Sequence, residues 1–373
     1  MDRAVAARPD NREYHYNRGP VRRAMGQLEA AAASFRRATE LAPGTAGAHV
    51  NLGAVLAQLG RTDEALGFLY KAIELTPGDE SVHNSLGNIL HNQGRLDDAA
   101  TAFRRAVSLR PGFPDGLFNL GRVQLKAGEP APALESFDGC LASQPFDRRA
   151  LAWRAVALAE LGRLDEAAEA IDPERDVTVR RLDQTSPGID TEALNSALVA
   201  DFADHPDLEW EPGATTTRSG SQLGNLLANP SAAVMALHGH LRATIDAHLA
   251  DHEAAASRAY MRAIPRRYAL RMWATVLADH GHQLAHIHPA GWLSGVYYVR
   301  APGISVSSDG HAGWIEFGRP RDDTPIGFEP KVRLIMPEEG MVALFPSYLF
   351  HRTIPFAGPD KRISIAFDLV AAS

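Results

Sequence analysis

Cysteine is almost missing from this chain: Cys140 is alone among 373 residues, so no internal disulfide can form and a disulfide-stapled secreted scaffold is excluded. Long apolar runs are missing too. No uninterrupted stretch approaches the roughly 18 residues that a membrane-spanning helix needs, and the opening segment MDRAVAARPDNREYHYN has no apolar core of the kind a signal peptide carries. A cytoplasmic protein without a membrane partner is the expectation. Basic residues are in deficit, 38 Lys and Arg against 45 Asp and Glu, for a net charge of −7. Broad nucleic-acid binding, which needs cations to neutralise phosphates, is therefore not expected. What remains is 45% hydrophobic and 22% charged, an ordinary soluble composition. The length suggests two domains at roughly 100–200 residues each.

The first half repeats itself. Pro43, Pro77, Pro111 and Pro145 are spaced by 34 residues, as are Gly60, Gly94, Gly128 and Gly162. Leu52-Gly53, Leu86-Gly87 and Leu120-Gly121 keep the same period, and so do Ala65, Ala99, Ala133 and Ala167. A large apolar column runs Phe35, Leu69, Phe103, Phe137. Each unit suits two close-packed helices: a glycine permits the left-handed residue that ends the first, and a proline stops the second. These columns resemble the tetratricopeptide repeat, in units of 46–79, 80–113 and 114–147. A weaker unit spans 12–45 and a partial one 148–172, giving a repeat domain over 1–175. In the 12–45 unit Pro20 is expected to break the first helix. Cys140 stands in the column held elsewhere by Ala38, Ala72 and Ala106, which reads as a packing position. The resemblance implies a concave peptide-binding groove. Its lining positions map to Asn84, Asn88, Phe118, Arg122 and Leu125, and the implied partner is a peptide or protein.

Past residue 175 the period is lost. Helical spacing marks 190–204 and 229–254, where His248 and His252 lie one turn apart and are read as surface residues. Arg258, Arg262, Arg266, Arg267 and Arg271 make a locally basic stretch, read as solvated surface. From 267 onward short runs of branched and aromatic residues alternate with Gly, Pro and Asp turns. The strands are expected at 267–277, 282–288, 293–299, 304–308, 313–317, 331–336, 341–345 and 362–370. About eight strands in so short a span suggest a sandwich or jelly roll. The fold class is thus multidomain α + β: a helical repeat solenoid, then a double-stranded β-helix with flanking helices over 176–373.

The chemistry concentrates in HGHQLAHIHPAGWLSGVYYV, residues 280–299. His286 and His288 are two apart and share one face of a strand. His280 and His282 read as loop residues. His351 follows 63 residues after His288, and Arg362 comes 11 residues later at the start of RISIAFDLV. Alternation puts Ile363, Ile365, Phe367 and Leu369 on one face of that strand, and Arg362 with Ser364 on the other. Hydrogen-bond donors so placed suit an anion. Tyr298 shares the parity of the two histidines unless the intervening PAG resets the register. Trp273 and Trp292 read as core or rim.

HIHPAGWLSGVYYV, LFPSYLFHRTIPF and RISIAFD resemble a bacterial and phage branch of the 2-oxoglutarate/Fe(II)-dependent oxygenases, a branch that often follows tetratricopeptide repeats. The resemblance covers roughly 180–373. It implies a jelly roll holding Fe(II) through His286, His288 and His351. Arg362 and Ser364 would grip the far carboxylate of 2-oxoglutarate, with Tyr298 beside it. O2 is the implied oxidant, and hydroxylation of a peptide or protein side chain the implied reaction. The chain departs from the usual pattern at His288, where a carboxylate ligand is expected. Three imidazoles can hold Fe(II); alternatively two bind, and Glu316 or Asp309 completes the set. Aspartyl/asparaginyl β-hydroxylases, which also join such repeats to an oxygenase domain, lack the usual carboxylate as well. Two rival readings stand: a non-catalytic peptide-binding scaffold with a degenerate jelly roll, and a cupin-type metal protein that does not use 2-oxoglutarate. The sequence leaves substrate, oligomeric state and domain docking open.

Overall fold

The computed structural model describes residues 10–203, 205–212, 215–254, 259–301, 310–321 and 324–372, without the side chains of 252–254. The chain divides into two compact units, Met1–Pro145 and Phe146–Ser373.

In the first unit antiparallel helix pairs follow the 34-residue period: Arg12–Ala24 with Leu28–Leu41, Ala46–Gln58 with Thr62–Leu75, Glu80–Asn92 with Leu96–Leu109, and Pro114–Lys126 with Pro130–Ser143. The repeating glycines end each first helix at φ +76° for Gly60, +74° for Gly94 and +78° for Gly128, a conformation that costs a side chain but not glycine. The proline turns are tied back by buried histidines: His49 Nε2 bonds the Pro43 carbonyl at 2.8 Å and His83 Nε2 that of Pro77 at 3.1 Å. One continuous core runs from Ala31 to Val123 through Phe35, Leu52, Leu69, Leu86 and Phe103. Each large side chain in it stabilises the fold by about 1.5–3 kcal/mol. Cys140 is fully buried in its alanine column. The expected break at Pro20 does not occur, because Arg12–Ala24 runs through it. Gly19, the residue before it, lies so close against the Phe35 ring that an added Cβ would stand 2.3 Å from it. Tertiary packing of this kind, not intrinsic propensity, supplies most helix stability.

The second unit opens with two further helices of the repeat type, Arg148–Glu160 and Leu164–Ala170. Trp153 packs edge-on against Phe350 at 5.3 Å, and Arg148 donates from Nε to the Gly291 carbonyl at 2.8 Å. The partial repeat unit is therefore packed with the sheet. Among the described residues ten antiparallel strands follow: β1 Thr178–Arg181, β2 Glu209–Trp210, β3 Thr217–Leu223, β4 Tyr268–His286, β5 Leu293–Arg300, β6 Ile315–Phe317, β7 Arg333–Ile335, β8 Met341–Pro346, β9 His351–Thr353 and β10 Arg362–Ala371. They hydrogen-bond in the order β1-β8-β5-β10-β4-β9-β6-β7, with β3 also on β4 and β2 on β3. Helices Thr191–Ala203 and Ala232–Ala254 flank this curled sheet. The expected strands 267–277 and 282–288 are one long strand with a kink, where His280 takes φ +60° and the pairing with β3 shifts register. The kink lets β4 pair with β10 along one stretch and with β9 along the next. The expected strand 304–308 lies outside the described residues. Val296, Tyr298, Phe317, Ala343 and Phe345 form the core inside the curl.

Candidate metal centre

The kinked β4 ends at His286, directly opposite His351, which opens β9. His288 follows in the turn, held by its N–H on the Ser347 carbonyl at 2.8 Å. The three rings gather with centroids 5.1 Å (His286–His288), 4.3 Å (His286–His351) and 4.9 Å (His288–His351) apart. One ring nitrogen from each lies within 4.8 Å of the others, the one such ligand cluster among the described residues.

All three imidazoles are fixed at Nδ1. His286 Nδ1 donates to the Leu284 carbonyl at 2.7 Å, His351 Nδ1 to the Leu349 carbonyl at 3.1 Å, and His288 Nδ1 to Asp368 Oδ1 at 2.7 Å. Each partner is an acceptor, so Nδ1 carries the hydrogen and the Nε2 lone pair is left for a cation. Burial, and then the neighbouring His288, hold His286 down at about 3. Burial with His286 and His288 keeps His351 well below the ordinary imidazole value. Both are neutral at pH 7, the form that ligates metal.

Beside the histidines, Arg362 opens β10 at 2% exposure. Its Nη2 donates to the Tyr298 hydroxyl at 3.1 Å, and its guanidinium carbon lies 5.0 Å from the centre of that ring. Burial raises the Tyr298 hydroxyl above its usual range, against the lowering effect of Arg362, so Tyr298 remains a neutral phenol. Arg362 Nε and Nη1 find no hydrogen-bond partner among the described residues. A buried cation with two unmet donors is costly and calls for an anion. Arg362, Ser364 and Tyr298 line one cavity with His286, His288, His351, Trp273, Gln283 and Phe345. Ser364 stands across from Tyr298 on β5 and from Thr275 on β4.

Other expectations fare differently. Glu316 is not near the cluster's open side: it alternates with Phe317, the partner of His351, and pairs with Arg352 and Arg319 instead. Its carboxylate is thereby engaged, which removes it as the completing ligand. Asp309 lies outside the described residues, as does Arg258. His280 is exposed and His282 half-buried at the kink, outside the ligand cluster. Trp273 lines the cavity and lies 5.3 Å from the His288 ring, while Trp292 packs with Phe146 and Tyr260 under the Arg148 guanidinium. His248 is buried at 2% exposure rather than on the surface, because its helix turns that face inward; the His252 side chain lies outside the description. In the first unit Asn88 is exposed and Arg122 half-buried. Asn84 accepts a hydrogen bond from Asn119 at 3.0 Å. Phe118 and Leu125 are corrections: both are buried at 6%, and Phe118 packs against Phe137 at 6.1 Å, so helix packing rather than an open groove occupies them.

Two residues escaped the sequence reading. Asp368 accepts from His288 and from the Ser294 hydroxyl at 2.6 Å. Its signal was present, since it continues the inward face of Arg362 and Ser364 along β10. Gly291 passes so close that a Cβ there would lie 2.6 Å from Ser347 Oγ and 3.1 Å from the Asp368 carboxyl carbon.

Family models match both parts of the chain. Residues 271–368 match the family model described as "Putative 2OG-Fe(II) oxygenase". Residues 16–80 and 118–173 match one tetratricopeptide-repeat model, and 87–128 another. No curated protein matches the chain. Among solved structures, the chain is similar to Pseudomonas aeruginosa pilF at 24% identity, covering 52% of this chain and 85% of that one, with a TM-score of 0.40. It is similar to YrrB, titled a TPR protein with an unusual peptide-binding site, at 22% identity over 45% of this chain and 87% of that one, TM-score 0.37. The MamA protein is matched at 22% identity over 43% and 87%, TM-score 0.38. No helix among the described residues is long and apolar enough to cross a membrane.

Proposed function

We propose that this fusion of tetratricopeptide repeats with an oxygenase domain is a 2-oxoglutarate- and Fe(II)-dependent hydroxylase acting on a side chain of a peptide or protein held by the repeats. The observation that carries the reading is the buried Arg362 guanidinium, two of whose donors are unmet, sharing a cavity with the three clustered imidazoles. The donor set fits the group. Nε2 of His286, His288 and His351 would hold Fe(II), since neutral imidazole suits iron. Arg362 and Ser364 would take the far carboxylate of 2-oxoglutarate, with Tyr298 fixing the guanidinium fork. Bound iron with its co-substrate and O2 supplies the oxidising chemistry that hydroxylates a C–H bond.

The chain's own residues bind, orient and exclude water. Carbonyls of Leu284 and Leu349 fix two imidazoles in the ligating tautomer. Phe345, its ring tilted against that of His351 at 4.6 Å, and Trp273 wall the cavity with apolar surface. A guanidinium that is already desolvated loses no further hydration when it meets its anion. The reading as a cupin-type metal protein without 2-oxoglutarate and the degenerate-scaffold reading both leave the Arg362 donors without a purpose. The peptide substrate rests on the pairing of the two domain types. Remote binding by the repeats would supply affinity away from the reacting bond.

The test uses the full chain purified without oxygen. Fe(II) and 2-oxoglutarate binding are measured, oxygen is admitted, and succinate is quantified with and without candidate peptides. Binding of both with oxygen-dependent succinate is expected. Failure to bind either one refutes the enzyme. Asn88→Ala should raise the KM for a true peptide substrate while leaving peptide-independent succinate formation unchanged.

A further inference from the structure

We infer that Asp368 is a positioning residue that supplies, through His288, the negative charge that a ligating carboxylate would otherwise bring to the metal; this rests on the three-histidine iron reading above. The carboxylate accepts from His288 Nδ1 at 2.7 Å, and both side chains are only 10% exposed. A carboxylate on the far nitrogen makes the near one more basic and locks the ring. Two histidines and a carboxylate would leave a bound Fe(II) with one net positive charge, whereas three neutral imidazoles would leave two. Asp368 restores the balance one imidazole away, in a buried setting where charge is weakly screened.

The surrounding hydrogen bonds hold this charge in place as a closed ring. The His288 N–H donates to the Ser347 carbonyl at 2.8 Å. Ser294 Oγ donates to Asp368 Oδ1 at 2.6 Å and lies 2.8 Å from Ser347 Oγ. Because the Ser294 proton is committed to Asp368, Ser347 donates to Ser294. His288 Nδ1 then closes the ring on Asp368. Gly291 roofs it, with no room for a Cβ over Ser347 and Asp368. Both the carboxylate and the imidazole are therefore fixed, as a ligand-orienting pair requires.

Co(II) serves as the probe, titrated into metal-free full-length protein and read by its visible absorption. Asp368→Asn keeps the shape and removes the charge. It should weaken cobalt binding by roughly 10- to 100-fold, with the melting temperature of the metal-free protein little changed. A merely structural role for Asp368 would also weaken binding, so the decisive arm reverses the sign. His288→Asp puts a carboxylate at the ligand position itself, where Asp368 becomes a like-charge neighbour. On that background D368N should leave cobalt affinity unchanged or raise it, which is a coupling measurable by a double-mutant cycle. Equal weakening by D368N on both backgrounds overturns the inference, as does a change under about three-fold in the wild type, well short of the loss expected for such a partner. If the wild-type protein itself fails to bind cobalt or Fe(II), the iron reading falls first, and the two failures are told apart.

Discussion

Replacing Arg362 with methionine tests the anion site most sharply, because the residue is buried at 2% exposure and has two donors, Nε and Nη1, without a partner among the described residues. Two charge-assisted hydrogen bonds to a carboxylate are worth about 1.5–3 kcal/mol each, hence about 3–6 kcal/mol together. At about 1.4 kcal/mol per decade, Arg362→Met should raise the Kd for 2-oxoglutarate by roughly 10²–10⁴. Stability should move the other way. Without ligand, the wild type carries a desolvated cation whose unmet donors each cost about 1–3 kcal/mol, so the ligand-free variant should be as stable as the wild type or more so. Isothermal titration of 2-oxoglutarate into oxygen-free, Fe(II)-loaded protein measures the first quantity, and urea unfolding the second. 2-Oxoglutarate at about 100 times the wild-type Kd should stabilise the wild type by about 2.7 kcal/mol and the variant by at most about 0.4 kcal/mol. A Kd change of less than about five-fold, or ligand stabilisation of the variant close to that of the wild type, would refute the assignment, because a single lost charged hydrogen bond already predicts more.

Three further outcomes follow from the same geometry. Tyr298→Phe removes the acceptor of Arg362 Nη2 and should lower stability by about 1–3 kcal/mol in urea unfolding. Glu316→Gln weakens the contacts with Arg319 and Arg352 and should cost about 1–3 kcal/mol, yet leave cobalt affinity unchanged; a lost metal site would restore Glu316 as a ligand. Gly291→Ala forces a Cβ toward Ser347 and Asp368 and should destabilise by about 1–3 kcal/mol while weakening cobalt binding, measured by titration against thermal unfolding.

The repeats were legible because each unit spends the same residues on the same tasks: proline to stop a helix, glycine to turn, alanine to let two helices close. The histidines and Arg362 were legible because strand alternation and offsets along the chain constrain them. Contacts made across strands were not. Asp368 gains its meaning only from Ser294 on β5 and from the His288 turn, and Glu316 loses its candidacy only because β6 pairs with β9 in a register that sets it opposite Arg352. Phe118 looked like groove because repeat position alone does not reveal that Phe137 covers it. Pro20 looked like a breaker because the packing of Gly19 on Phe35 is tertiary. β3, TRSGSQL, carries no apolar alternation and was missed. Its pairing with the kinked β4 is what carries that strand past the break toward His286.

The most direct test of the centre is stoichiometry and co-product in one preparation. Full-length protein, metal-free and oxygen-free, is titrated with Fe(II) and then with 2-oxoglutarate before oxygen is admitted. The account predicts one Fe(II) per chain, lost in His351→Ala, and succinate formed only when iron, 2-oxoglutarate and oxygen are all present. Iron binding that survives His351→Ala, or a chain that binds neither iron nor 2-oxoglutarate, would contradict it.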